Sequence, residues 1–155
     1  MGYGDVLRRL GHQRWFARMG RALTPLDRAV KRRTNGRFGV VGPSGLPELL
    51  LTATGARSGL PRQVPLLYVA DGDAYLVVAS NWGQAHHPAW SANLLAHPDA
   101  TVRVDGVEHA VRARLLVDAE KARVWPAVVA TWPAYDTYAA RSGRDMRVFR
   151  LEPVA

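Results

Sequence analysis

The sequence predicts an α+β chain, mainly β, folded as a small antiparallel barrel with peripheral helices. Three observations point there. From Glu48 onward, six short runs of strand-forming residues follow one another in hairpin pairs, interrupted by helical segments. Two connections carry Asp-Gly, at Asp71-Gly72 and Asp105-Gly106, a dipeptide that readily adopts the positive φ angles of a tight hairpin turn. No Gly-x-Gly-x-x-Gly follows a strand, which argues against a parallel dinucleotide-binding sheet. A chain of 155 residues makes one domain with a sizeable core of its own. It has no cysteine, so it has no disulfide, no thiolate metal site and no cysteine nucleophile.

The elements follow in order. After the loop Gly42-Pro43-Ser44-Gly45, Glu48–Thr54 is the first strand. The basic, Gly-bounded turn Gly55-Ala56-Arg57-Ser58-Gly59 leads into a second strand, Arg62–Ala70, and Asp71-Gly72 turns it into a third, Ala74–Ser80. Pro88 opens a short helix to Ala96, stopped by His97-Pro98. Thr101–Val104 and Val107–Val117 pair across Asp105-Gly106, and Arg103, His109, Arg112 and Arg114 alternate there with apolar neighbours, as on half-exposed strands. Asp118 is placed to cap a helix to Thr131, with Pro126 as a kink or restart inside it. Ala134–Arg141 is a further helical piece, and Met146–Leu151 is the last strand.

Charge divides the chain at residue 37. Residues 1–37 hold ten basic side chains and two acidic ones, which accounts for the whole net charge of +8; residues 38–155 hold eleven of each. Val6, Leu7, Leu10, Trp15, Phe16 and Met19 recur at helical spacing with arginines on the other face, and Thr24-Pro25 begins a second helix that ends before Asn35-Gly36. Such a segment packs over the barrel with its arginines in solvent, or lies on a membrane surface. No base-reading motif accompanies it, so a nucleic-acid partner is not expected. No apolar run approaches the ~18–20 residues that span a bilayer, and no secretory signal is visible. The expected location is cytoplasmic, with peripheral attachment to the inner face of the membrane as the alternative. The Arg- and Ala-rich composition points to a GC-rich bacterial genome.

Arg57, Ser58 and Arg62 are the first candidates for function. Guanidinium forks, a hydroxyl and turn amides all match the oxygens of a phosphate-bearing ligand; the alternative is a basic loop in solvent. His86-His87 does not make a metal site, because adjacent turn histidines diverge and no further ligand stands at metal spacing. No Gly-x-Ser-x-Gly occurs, which argues against a serine hydrolase.

From Leu49 to Pro153 the order and spacing of these motifs resemble the deazaflavin-dependent nitroreductase family, small split β-barrels of the FMN-binding type that include F420H2-dependent quinone reductases. The resemblance implies that Ala56-Arg57-Ser58 and Arg62-Gln63-Val64-Pro65 contact the phosphate, tail and ring edge of coenzyme F420. It implies that Val78-Ala79-Ser80-Asn81 lies along the deazaflavin ring, and that Ala89-Trp90-Ser91-Ala92-Asn93 forms another coenzyme-contacting stretch. Leu67, Ser80, Trp82, Trp132, Tyr135 and Tyr138 are then the substrate side, with Tyr135 also touching the coenzyme. Ser80, Tyr135 and Tyr138 are the catalytic candidates. Ordinary core packing is the competing account of Trp90 and of the Trp132–Tyr138 group. The chain departs from relatives at Ala56, where many carry Arg, and at Asn81, where some carry Lys. It departs further at Trp82, where Gly is usual, at Ser91, which is often aromatic, and at Trp132, where several carry Tyr.

The function this implies is hydride transfer from reduced F420 to a quinone, an activated enone or a nitroaromatic, in a protein of actinobacterial type, monomeric or homodimeric. Quinones are preferred because the basic N-terminal segment would place the site near lipid-soluble acceptors. The alternatives are an FMN-binding oxidoreductase of the same barrel class, and a non-catalytic deazaflavin carrier or membrane-binding protein.

Overall fold

The computed structural model describes Arg8, residues 11–15, Arg18, Pro25, Ala29 and residues 46–154, apart from the side chain of Trp82. Arg8, Arg14, Trp15, Arg18, Pro25 and Ala29 are helical. Gly11 and His12 form a turn and Gln13 is not helical, so the first expected helix is interrupted there; the remaining residues of the two expected N-terminal helices, and the loop at 42–45, lie outside the described residues. No helix among the described residues is long and apolar enough to cross a membrane.

The strands are β1 (Glu48–Thr54), β2 (Pro61–Leu67), β3 (Val69–Asp71), β4 (Ala74–Val78), β5 (Asp99–Val104), β6 (Val107–Leu116) and β7 (Val148–Pro153). The helices are α1 (Ala89–Ala96), α2 (Asp118–Thr131) and α3 (Ala134–Ser142), with a 3-10 turn at Asn81–Gly83. One antiparallel seven-stranded sheet runs in the order β2-β1-β5-β6-β7-β4-β3. Its two outermost strands, β2 and β3, are separated in sequence by Tyr68 alone. Edges joined by one residue cannot lie far apart, so the sheet must roll round on itself, as in a split barrel. The Tyr68 N–H donates to the carbonyl of Pro47 at 3.0 Å, and its ring meets Tyr75 edge-on at 5.2 Å, which seals this corner.

That corner corrects the sequence expectation of one strand over Arg62–Ala70. The run is β throughout, but its first part pairs with β1 and its last part with β4. Other corrections are smaller. The tight pair of the first hairpin is Gly72-Asp73, with Asp71 still in the strand opposite Ala74. The second hairpin turns on Asp105 (φ 49°) and Gly106 (φ 80°), as expected of Asp-Gly. The residue at the N-cap of α2 is Val117; Asp118 follows it at φ 49° and makes no capping hydrogen bond. Pro126 sits inside a continuous α2. The last strand begins two residues later than expected and runs to Pro153.

Strand periodicity separates two cores. In β4, Val77 faces the barrel interior and packs with the adjoining Ala79, Leu49, Leu51, Ala53, Val102 and Phe149. Leu76 and Val78 face outward, against Val124 and Val128 of α2 and Tyr135 and Tyr138 of α3. The same alternation puts Phe149 and Leu151 of β7 inside and Val148 outside. The central strands are therefore apolar on both faces because α2 and α3 cover one of them. Phe149 is 1% exposed and touches Trp90 of α1 at a ring distance of 5.8 Å. Phe149→Ala is expected to cost about 3–5 kcal/mol, read as a lowered urea midpoint with an unchanged slope.

Candidate active site

Several motifs far apart in sequence meet at one end of the barrel. Ala53 at the end of β1, Ala79 just beyond β4 and Trp90 of α1 belong to one interior cluster, so the segments that follow or carry them share a rim. The β1–β2 loop is tied to α1 by the Ala56 N–H, which donates to Asn93 Oδ1 at 2.9 Å. Within the loop, Gly59 takes φ 68°, and its N–H donates to the Gly55 carbonyl at 2.9 Å. A Cβ on Gly55 would stand 2.5 Å from Ser58 Oγ and 3.2 Å from the Leu60 carbonyl, so a larger residue there would push the Ser58 hydroxyl out of its present place. The Ser58 hydroxyl accepts from the Leu60 N–H and from Arg62 Nη2 at 3.2 and 3.3 Å.

The arginines sort into two groups. On the sheet, Arg103 pairs with Glu108, Arg112 with Asp99, Arg114 with Glu120 and Glu152, and Arg150 with Asp71 and Glu152. These exposed and half-exposed pairs neutralise that surface and add little stability individually. At the rim no such pairing occurs: among the described residues, no carboxylate bridges Arg57, Arg62, Arg144 or Arg147. Arg57 is exposed and makes no hydrogen bond among the described residues. Arginines without a carboxylate partner among the described residues therefore gather where the β1–β2 loop, α1 and the α3–β7 connection lie.

Asn93 is 9% exposed; its oxygen holds the Ala56 amide, and its Nδ2 donors have no partner among the described residues. Ser91 is fully buried and accepts from Arg147 Nη1 at 2.9 Å. Trp90 is core, as the packing account held, while Ala89 and Ala92 are exposed. Gln63 donates to Thr52 Oγ1 on the neighbouring strand at 3.3 Å, Val64 faces the barrel interior, and Pro65 is half-buried.

The chain beyond β4 turns sharply. The Ser80 N–H donates to the Val78 carbonyl at 2.9 Å, and Asn81 takes φ 46°. The Asn81 side chain donates to the His86 carbonyl at 3.0 Å and accepts from Gln84 Nε2 at 3.3 Å. The Ser80 hydroxyl has no partner among the described residues. Trp82 contributes backbone to this 3-10 turn. Helix α3 stands directly on the turn: a Cβ on Gly83 would lie 3.0 Å from Tyr138 Cδ1.

The expected aromatic group is brought together, in the outer core beside Leu67. Its members have different surroundings. Trp132 is 4% exposed and packs so closely on Gly11 that a Cβ there would stand 2.4 Å from its ring. The Tyr138 hydroxyl donates to the Gly11 carbonyl at 2.9 Å. Arg141 reaches the next carbonyl, of His12, and Arg8 Nε donates to the Thr131 carbonyl. The described part of the N-terminal segment thus rests on α2 and α3 and takes up two of the three aromatics. Tyr135 is 6% exposed, and its hydroxyl has no hydrogen-bond partner among the described residues. Burial, and to a lesser degree Tyr138, push Tyr135 above the ordinary tyrosine range, so it stays protonated.

Sequence reading missed Arg144, Arg147 and His87. Arg144 donates to the carbonyls of Ala79, Ser80 and Gln84 at 2.9, 2.6 and 3.0 Å. It also lies 2.9 Å from His87 Nδ1. A guanidinium cannot accept, so Nδ1 does, and the proton of the neutral ring is on Nε2. Desolvation first, then the Arg147 and Arg144 charges, hold His87 below its ordinary value. Gly143 (φ 65°), which stops α3, was the sequence signal available for a turn that re-aims the arginines after it. His86 is exposed, and no group of metal-ligating side chains occurs among the described residues.

Fold and rim together define a split-barrel protein whose cationic mouth suits an anionic ligand held beside an apolar wall. The model of the F420H(2)-dependent quinone reductases matches residues 25–153. An F420H(2)-dependent quinone reductase of Mycobacterium tuberculosis is 40% identical over 142 residues, covering 89% of this chain and 95% of the relative. A solved F420-H2 dependent reductase superposes with a TM-score of 0.64 at 36% identity, over 68% of this chain and 94% of its own. A solved domain-swapped dimer gives 0.65 at 33% identity, over 83% and 100%. The chain belongs to the F420H(2)-dependent quinone reductase family.

Proposed function

We propose that this protein is an F420H2-dependent oxidoreductase that reduces a quinone at the rim of its barrel. The observation that carries the site assignment is the set of arginines without carboxylate partners around the β1–β2 loop and α1, where the phosphate-bearing tail of the coenzyme would find charge-assisted donors. The residues present fit that group. Arg57 and Arg62 would hold the tail, with Asn93 Nδ2 as a buried donor beside them. Ser80 and the turn at Asn81 would lie along the ring, between α1 and α3.

The bound coenzyme supplies a hydride. The chain's own part is to bind, orient and shield. Val64 and Trp90 would give the site an apolar wall from the barrel interior, and Tyr135 one from α3. Tyr135, protonated and with no hydroxyl partner among the described residues, would donate to an acceptor oxygen as negative charge develops there. No acid–base pair with opposed pKa shifts is needed, because a quinone that gains a hydride requires only one further proton. The excess arginines of residues 1–37 would favour an anionic lipid surface, where quinones dissolve, as a peripheral site of action.

Equilibrium titration with F420, beside FMN, tests the cofactor half of this reading. A Kd on the order of 1 μM or tighter for F420, about −8 kcal/mol or more favourable, is expected, with FMN much weaker. The reverse preference would move the protein to the FMN-binding alternative.

A further inference from the structure

Arg144 has an unusual set of partners for an arginine so close to the surface. Its guanidinium is bonded to three main-chain carbonyls and one neutral ring nitrogen and, among the described residues, to no carboxylate. The carbonyls are those of Ala79, Ser80 and Gln84, which bracket the turn after β4. The turn's other bonds are local: the Gly83 N–H to the Ser80 carbonyl and the Gln84 N–H to the Asn81 carbonyl, at 3.0 and 3.1 Å, the Asn81 side chain to the His86 carbonyl, and Gln84 Nε2 to the Asn81 side chain; it also contains a non-glycine residue at positive φ. We propose that Arg144 is a positioning residue for hydride transfer, fixing Ser80 and the Asn81–Gly83 turn against the coenzyme ring, with His87 as the acceptor that fixes the guanidinium. The proposal rests on the reading that residues 78–81 border that ring.

The chemistry supports this division of labour. Taking up the carbonyls of Ala79 and Ser80 leaves the Ser80 hydroxyl as the polar side-chain group presented at the strand end, and it can donate to a ring oxygen. A planar fork reaches several acceptors at once, which a single ammonium cannot do with the same geometry. His87 makes the arrangement sensitive to acid. Its ring is faced by Arg144 and Arg147, and by Asp145, which is itself paired with Lys121; His86 beside it is exposed, and α1 carries no charged side chain. Protonation would remove the lone pair on Nδ1 and set a third positive charge among two others. Since His87 is held below its ordinary value, the ring stays neutral and the contact complete at neutral pH, and the contact is lost only as pH falls through the lowered value of the folded protein.

The test combines ligand-free and loaded measurements. In ligand-free Arg144→Met, amide exchange at Gly83 and Gln84 should quicken by about tenfold or more, while the β5–β6 hairpin is unchanged. In the loaded enzyme kcat should fall by about 10²-fold through misplacement alone, with the coenzyme Kd within about threefold of wild type. Arg144→Lys should not restore kcat. His87→Asn, which retains an acceptor at every pH, should keep turnover on the acid side, where the wild type loses its own as His87 protonates. It also decides the question if Arg144→Met does not fold. Unchanged exchange and kcat in Arg144→Met, or coincident acid limbs for wild type and His87→Asn, would overturn the proposal. A wild type that binds no coenzyme would instead sink the functional reading beneath it, and the positioning role with it, whatever the exchange rates show.

Discussion

Replacing Arg57 and Arg62 together by glutamine is expected to weaken coenzyme binding by at least about 10²-fold. Each charge-assisted hydrogen bond to an anionic tail is worth about 1.5–3 kcal/mol, or roughly tenfold to more than a hundredfold in Kd. Among the described residues neither side chain is tied to a carboxylate, and the bond between Arg62 and Ser58 at 3.3 Å is exposed. The double variant should therefore keep its melting temperature, which separates lost binding from lost fold. The wild-type affinity should also fall with added salt, and the variant's should fall less, because the screened charges are gone. An unchanged Kd would remove the β1–β2 loop from the site.

Tyr135→Phe is expected to lower kcat for quinone reduction by about 10²-fold while leaving the coenzyme Kd unaltered. The hydroxyl is buried and has no partner among the described residues, so its removal should leave stability unchanged or slightly raised. Burial holds its pKa above the usual tyrosine range, so it should add no limb to the pH profile below about pH 10. Tyr138→Phe provides the contrast. That hydroxyl is bonded to the Gly11 carbonyl, and its loss should cost about 1 kcal/mol of stability, read as a lower melting temperature, with less effect on kcat. Equal losses of kcat in the two variants would contradict the distinct roles given to neighbouring tyrosines.

Much of the fold is legible in the sequence because its cues are local. Asp105-Gly106 turns where an Asp-Gly pair should, and α2 and α3 begin and end within a residue of their expected bounds. The break at Tyr68 is not local. Arg62–Ala70 reads as one strand, and only closure of the barrel sends its two parts to different partners. The cap of α2 was misread for a related reason. Asp118 is a good capping residue by type, but the strand before it delivers Val117 to that position.

The site divides in the same way. The Gly55–Gly59 turn is recognisable because glycines, a hydroxyl and two arginines fall within a few residues. Asn93 is recognisable by its place in a motif, though its bond to the Ala56 amide spans 37 residues. Arg144 is invisible to such reading: it meets Ala79 across 65 residues and His87 across 57, and nothing nearby in sequence distinguishes it from the arginines that pair with carboxylates on the sheet. The sequence shows how much charge the body carries, whereas the sheet register shows which charges are left over.

Two-electron transfer from the deazaflavin to a quinone is the central step of the proposed function. The deciding measurement is anaerobic mixing of the protein and F420H2 with menadione, following the return of oxidised coenzyme. Oxidation that needs both protein and quinone, saturates with each, and falls in both the Arg57/Arg62 and Tyr135 variants is the predicted result. Tight binding of F420H2 with no oxidation by menadione or by any other quinone would contradict it, and would leave the protein as a carrier of the coenzyme.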